Sequence, residues 1–153
     1  MTVNAGDAAP DFDMPADDGE ISLSALKGET VVLYFYPKDD TSGCTSEAKA
    51  FTEAADDFAA AGAVVVGVSK DSVASHAKFK KKHGLAFALA ADESKAMSEA
   101  YGVWVEKSMY GRNYMGIERA TFLIDGEGRV RRVWRKVKVP GHVAEVLAAV
   151  QSL

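Results

Sequence analysis

A single cysteine, Cys44, stands among 153 residues, so no disulfide can close within the chain and dithiol chemistry is excluded. Such scarcity suits a reducing compartment. No apolar run approaches the roughly 18–20 residues that a membrane-spanning helix needs. The opening Met1-Thr-Val-Asn-Ala-Gly-Asp7 has neither a basic nor an apolar leader region. A cytoplasmic protein without a membrane partner is expected. Neither sign of charge dominates: 22 acidic against 18 basic residues leave a net charge of -4, which gives no electrostatic reason to expect nucleic acid as a partner. Histidine is also scarce. His76, His83 and His142 have no cluster of Cys, Asp or Glu at ligand spacing, so neither a metal nor a cofactor is expected. Internal repeats and low-complexity segments are absent, and the length fits one domain, residues 1–153, able to bury a core without metal or disulfide.

What is present is concentrated in residues 30–51. Residues 31–36 form an unbroken run of β-branched, aliphatic and aromatic side chains, the pattern of a strand buried on both faces of a parallel sheet. Pro37 ends the run, and the turn formers of residues 38–43 follow. Ala48, Phe51, Ala55 and Phe58 then recur at helical spacing, predicting a helix to about Ala61 with Gly62 as its stop. Cys44 falls in the first turn of that helix. There, unpartnered backbone N–H groups and the positive end of the helix dipole favour a thiolate over a thiol. The Thr41 hydroxyl, three residues earlier, can reach the sulfur or an oxygen bound to it. A lone cysteine is commonly a small buried hydrophobe. A Pro-x-x-x-Thr-x-x-Cys approach at the carboxyl end of a buried strand favours chemistry, because open α/β sheets place their crevices there.

The flanking chain reads as alternating elements. A short strand over residues 9–14, a turn at Asp17-Asp-Gly19 and one helical turn over 22–27 come first. Strands are expected at 63–68, 86–89, 120–124 and 129–134, and helices at 72–83 and 94–101, with a last helix carrying Val143, Val146, Leu147 and Val150. Residues 106–113 read as a loop with side chains suited to lining a pocket, Arg112 among them as a secondary anion contact. Lys78, Lys80, Lys81 and Lys82 are expected to offset a helix C-terminus. The basic stretch from Arg131 to Lys138 alternates as a solvated outer strand does. Strands alternating with helices, then a hairpin and a final helix, predict an α/β sandwich on a mixed sheet. By spacing alone Arg119, at the head of strand 120–124, is equally a surface ion pair or a donor to Cys44.

Pro37, Thr41 and Cys44 match the Pro-x-x-x-Thr-x-x-Cys signature of the peroxiredoxins. Tyr34-Phe-Tyr-Pro-Lys-Asp-Asp-Thr-Ser-Gly-Cys-Thr-Ser-Glu-Ala48, together with Arg119-Ala-Thr-Phe-Leu-Ile-Asp125, resembles the peroxiredoxin Q group, also called bacterioferritin comigratory proteins, from about Gly6 to the C-terminus. The resemblance implies an α/β, thioredoxin-like fold, with a central mixed β-sheet flanked by helices and an N-terminal β-hairpin. It also implies thiol-dependent reduction of hydrogen peroxide and organic hydroperoxides. Under it, Cys44 is the attacking cysteine and Arg119 the catalytic arginine; Thr41 and Pro37 complete the catalytic set, Thr41 orienting the peroxide and Pro37 shielding the sulfur and shaping the pocket, and Gly43 and Glu47 are substrate-site candidates.

Two departures stand out. Lys49 occupies the position, five residues after the attacking cysteine, where family members commonly carry the resolving cysteine, and Ser42 replaces a common proline. An external thiol is therefore expected to resolve the oxidised cysteine: thioredoxin, glutaredoxin with glutathione, or a small thiol. A monomer is expected, with a weak homodimer as the alternative. Two further readings are a peroxide sensor or redox-dependent binding protein of the same fold, and acyl transfer by Cys44. The latter needs a histidine base, and all three histidines are expected away from the cysteine loop.

Overall fold

The computed structural model describes residues 3–153. In chain order the elements are β1 (Asp13–Ala16), β2 (Gly19–Ser22), a 3-10 turn (Ser24–Leu26), β3 (Thr30–Phe35), α1 (Ser42–Glu53), α2 (Ala55–Ala60), β4 (Ala63–Ser69), α3 (Val73–His83), β5 (Ala88–Ala91), α4 (Ala96–Ala100), β6 (Trp104–Met109), β7 (Arg112–Ile117), β8 (Ala120–Ile124), β9 (Val130–Trp134) and α5 (His142–Gln151). Seven strands form one mixed sheet in the order β2-β1-β5-β4-β3-β8-β9. β3 runs parallel to β4, and β4 to β5, while β8 lies antiparallel to β3 and β1 antiparallel to β5. The arrangement is the expected thioredoxin-like one, with the β1–β2 hairpin at one edge and the basic strand β9 at the other.

The unbroken apolar run of β3 follows from its central place. Val32, Tyr34 and Tyr36 enter one core with Phe51, Phe58, Phe79 and Val146 from the helices. Val31, Leu33 and Phe35 enter the other, with Phe12, Met97, Tyr101 and Ile117. Successive side chains of a strand point to opposite faces, so a strand covered on both sides must be apolar at every position.

Helix punctuation follows local chemistry where the chemistry is strong. Ser72 Oγ accepts from Ser75 N–H and starts α3, and Gly84, at φ +62°, ends it. Four expectations about the elements need correction. The strand expected at 9–14 lies at Asp13–Ala16, where it pairs with β2, Met14 against Ile21. The cysteine helix does not run unbroken to Ala61: it is interrupted at Ala54 (φ −92°, ψ 3°) and resumes as α2, with Phe51 and Phe58 still in contact at 5.8 Å between rings. The strand expected at 86–89 lies at Ala88–Ala91, because pairing with β4 aligns Val66 with Ala88 and Asp17 takes the Leu89 N–H. Residues 106–113 are no loop. They belong to the β6–β7 hairpin, which turns at Tyr110 (φ +52°) and Gly111 (φ +77°). Two consecutive positive φ values mark a type I′ turn, and tyrosine is an unusual residue for its first position. No helix among the described residues is long and apolar enough to cross a membrane.

Candidate active site

β3 ends beside the loop of residues 36–41, and the loop delivers Cys44 to the third position of α1 behind Thr41 as the capping residue. The first bond of the helix is Thr45 N–H to the Thr41 carbonyl, 2.8 Å. Cys44 is buried, 2% exposed, and its sulfur has one side-chain partner among the described residues, Arg119 Nη2 at 3.4 Å. The 75-residue separation is closed by the sheet. Antiparallel pairing sets Ala120 against Phe35, so Arg119 sits at the carboxyl end of β3, where the cysteine loop begins.

The other end of the guanidinium is fixed by Glu47, one helical turn after Cys44: Nη1 donates to Oε1 at 2.6 Å. Burial works against the charge of Arg119, but Glu47 and then Cys44 outweigh it and hold the guanidinium above its ordinary range. Glu47 is wholly buried, and its Oε2 has no hydrogen-bond partner among the described residues. Burial opposes its carboxylate more than Arg119 supports it, and Glu47 is pushed up to about 7 from 4.5. The folded protein therefore keeps a proton that the unfolded chain releases. The resulting stability is fully present below pH 4.5 and is lost as pH rises through 7, on the order of 3 kcal/mol in all. Glu47→Gln is expected to flatten this dependence and to be more stable than the native protein at pH 8. Denaturant unfolding across pH 4–8 measures both.

Gly43 has a steric role. A Cβ built there stands 3.2 Å from Arg119 Nη2, the nitrogen that reaches the sulfur. Its φ is not positive, so the backbone accepts alanine. Gly43→Ala is expected to displace the guanidinium by a few tenths of an ångström and slow reaction with peroxide about tenfold, with little change in melting temperature. Stopped-flow kinetics and a thermal melt separate the two effects.

Of the two partners expected for Thr41, the sulfur or an oxygen bound to it, the hydroxyl makes no bond to the sulfur. That hydroxyl donates to the Lys38 carbonyl at 2.9 Å, a local acceptor that competes successfully for a short polar side chain. Pro37 is half-buried at the head of the loop. Arg112 lies exposed near the tip of the β6–β7 hairpin, without a side-chain bond to the site. Lys107 went unnoticed in the sequence: half-buried on β6, it is held below its usual range by burial and then by Arg119, while Cys44 opposes that shift. The cation stretch of α3 is partly used within the protein, Lys80 on Asp17 at 2.6 Å and Lys82 on Asp40 at 2.8 Å.

The histidines also differ from expectation. Two of them bind the cysteine loop: His76 Nδ1 lies 2.8 Å from Asp39 Oδ2, and His83 Nε2 lies 2.9 Å from Asp40 Oδ1. Helix α3 packs beside the loop, which spacing along the chain does not reveal. His142 bonds Thr121 Oγ1 at 2.8 Å, and burial pushes it down to about 4. None is hydrogen-bonded to Cys44, so the thiol has no histidine base for acyl transfer. Among the described residues no group of three or more His, Cys, Asp or Glu is arranged to hold a metal ion.

The AhpC/TSA family profile matches residues 5–133. The putative peroxiredoxin Bcp of Coxiella burnetii is 53% identical, over 96% of this chain and 98% of its own length. Peroxiredoxin Bcp of Bacillus subtilis is 51% identical, over 100% and 98%. Among solved structures, Xanthomonas campestris peroxiredoxin Q superposes with a TM-score of 0.90 at 45% identity, covering 98% of this chain and 96% of that one. A second Xanthomonas campestris structure, of a bacterioferritin comigratory protein described for its alkyl peroxide reduction activity, has a TM-score of 0.90 at 44% identity with the same coverage.

Proposed function

The chain belongs to the AhpC/TSA family and is a thiol-dependent peroxidase of the peroxiredoxin group, and on that premise we propose that Cys44 is the peroxidatic cysteine of a one-cysteine cycle acting on hydrogen peroxide and organic hydroperoxides. The observation that carries the proposal is the single guanidinium shared between Glu47 and the Cys44 sulfur in the first turn of α1. The alkyl peroxide activity named for the Xanthomonas campestris relative supports the organic substrates.

In the first step the Cys44 thiolate attacks one peroxide oxygen in line with the O–O bond. A sulfur–oxygen bond forms, the O–O bond breaks, and the departing hydroxide or alkoxide takes up a proton and leaves as water or alcohol, with Cys44 as a sulfenic acid. Arg119 donates to the oxygens as negative charge moves to the leaving group, the moment at which fixed donors are most effective. The backbone N–H groups of Gly43 and Cys44 add their dipoles at the helix start. With its proton committed to Lys38, the Thr41 oxygen acts as an acceptor and orients the hydroperoxide O–H. Pro37 shields the sulfur, Gly43 leaves room for the guanidinium, and Glu47 holds it.

In the second step an external thiol attacks the sulfenic sulfur, forming a mixed disulfide and releasing water, and a further thiol frees Cys44. Thioredoxin, glutaredoxin with glutathione, or a small thiol serves as reductant, since Lys49 stands at the resolving position. The protein works as one domain, residues 1–153, in the cytoplasm and as a monomer, a weak homodimer being the alternative.

Stopped-flow mixing of reduced protein with each hydroperoxide, followed by tryptophan fluorescence, tests the proposal when the product is trapped with dimedone and mapped. One adduct, on Cys44, is expected, with turnover restored by at least one of the named thiols. A rate no better than that of a free thiolate sinks it. The 2% exposure of Cys44 favours a second reading, a peroxide sensor, should oxidation be fast and no thiol support turnover.

A further inference from the structure

Cys44 is buried, and on the loop that leads to it Asp39 is buried too, bonded to polar groups of the loop and of the elements packed beside it. Asp39 Oδ1 accepts from the Tyr36 hydroxyl at 2.6 Å, and Oδ2 accepts from the Ser75 hydroxyl at 2.7 Å and bonds His76 Nδ1 at 2.8 Å. His76, wholly buried, uses its other nitrogen to donate to the Ala90 carbonyl at 2.9 Å. The Asp39 backbone N–H donates to Asp71 Oδ2, which also accepts from the Ser69 hydroxyl at 2.6 Å. The next residue, Asp40, adopts a left-handed φ of +60° and is clasped from outside by Lys82 and His83. Both ends of helix α3 thus hold the loop at two adjacent residues, Ser75 and His76 near the helix start on Asp39 and Lys82 and His83 in its last turn on Asp40.

None of these bonds involves Arg119, Glu47 or the sulfur. The loop has one set of attachments and the attacking group another.

We propose that the Asp39–His76 pair is a latch on the cysteine loop that sets how readily oxidised Cys44 is presented to an external thiol. The proposal rests on the one-cysteine reading above and deepens it. A hydroperoxide is small and reacts with the loop closed. A thiol must bring a bulkier sulfur into line with the sulfur–oxygen bond of a residue that is 2% exposed, so the loop has to swing away first. When it does, the bonds to Asp39 break together, and Asp40 is released from a backbone conformation that non-glycine residues hold at a cost. Asp39, Ser75 and His76 are positioning residues and touch no reacting atom.

The two steps respond differently to weakening of the latch. With closed over open at roughly 1,000 to 1, a tenfold shift still leaves about 99% of molecules closed, yet the open form becomes about tenfold more abundant. Oxidation is then untouched, while capture by a thiol accelerates. A purely structural role would slow both steps together or change neither.

The test oxidises the reduced full-length protein with one equivalent of hydrogen peroxide, recording that rate. The sulfenic acid is then mixed with 2-nitro-5-thiobenzoate, whose absorbance is lost as the mixed disulfide and water form. Ser75→Ala, which removes one hydroxyl from Asp39, is expected to speed capture about fivefold, and His76→Gln about tenfold or more, with oxidation rates within about twofold of the native protein. Should His76→Gln fail to fold, Ser75→Ala and Asp40→Asn carry the comparison, Asp40→Asn loosening the exposed clasp, with hydrogen exchange at residues 39–44 reporting opening directly. Unchanged capture in the folded variants, or a parallel loss of both rates, overturns the latch. A native protein that forms no sulfenic acid overturns the one-cysteine reading, and the latch with it; normal oxidation with unresponsive capture overturns the latch alone.

Discussion

Cys44→Ser is expected to consume no hydroperoxide with any thiol and to yield no dimedone adduct anywhere in the chain. The serine hydroxyl stays un-ionised near neutral pH and cannot accept oxygen as a sulfenic acid, and no second cysteine exists to substitute for it. The loss should exceed about 10⁴-fold, as removal of a nucleophile does elsewhere. The fold should tolerate the change. Serine fits the space of the buried thiol, and its oxygen can accept from Arg119 Nη2 as the sulfur does. Peroxide consumption coupled to thiol oxidation measures the first effect and a thermal melt the second. Residual turnover in a well-folded Cys44→Ser protein would mean that the chemistry resides elsewhere.

Arg119→Ala is expected to slow the reaction of Cys44 with hydrogen peroxide by about 10²–10³-fold, the effect of removing a donor aimed at developing charge. Arg119→Lys should recover only part of this, because an ammonium is a compact point charge and cannot hold Glu47 and the sulfur at once in a planar fork. Arg119→Ala also strips the buried Glu47 carboxylate of its one side-chain partner. A loss of about 3–5 kcal/mol in stability is expected above pH 7, and less below it, where Glu47 of the native protein is itself protonated and the charge pair is already lost. Adding Glu47→Gln to Arg119→Ala should therefore restore much of the stability and none of the rate. Stopped-flow kinetics beside denaturant unfolding at pH 6 and pH 8 separates the two roles, and rate recovery in the double variant would contradict the assignment of Arg119.

Local patterns carried far along this chain. Residues 31–36 announced the central strand, and Pro37 with the polar residues after it announced the loop. Periodicity marked α3 at 72–83, one residue early at its start, and the strands expected at 120–124 and 129–134 marked the β8–β9 hairpin. Errors fell where the local signal is weak or silent. No glycine or proline marks the break at Ala54, and Tyr110 does not advertise a tight turn. The Thr41 hydroxyl donates to the Lys38 carbonyl, a local bond that spacing does not decide. His76 and His83 could not be assigned to the loop, because their contacts depend on where α3 lies against it.

The sequence by itself determined that Cys44 would stand at the start of a helix behind a buried strand, and through its Pro37, Thr41 and Arg119 signature it determined the family. Periodicity and turn chemistry record which way each side chain faces and where the chain must bend, and both are local. Only the tertiary structure decided that Glu47, readable equally as an exposed helix residue, is buried and fastened to Arg119, and that Asp39 is locked to His76. Those partners lie 72 and 37 residues apart. Strand order, the antiparallel register of β3 and β8, and the seating of α3 beside the loop bring them together, and these arise from packing the whole sheet rather than from any one segment.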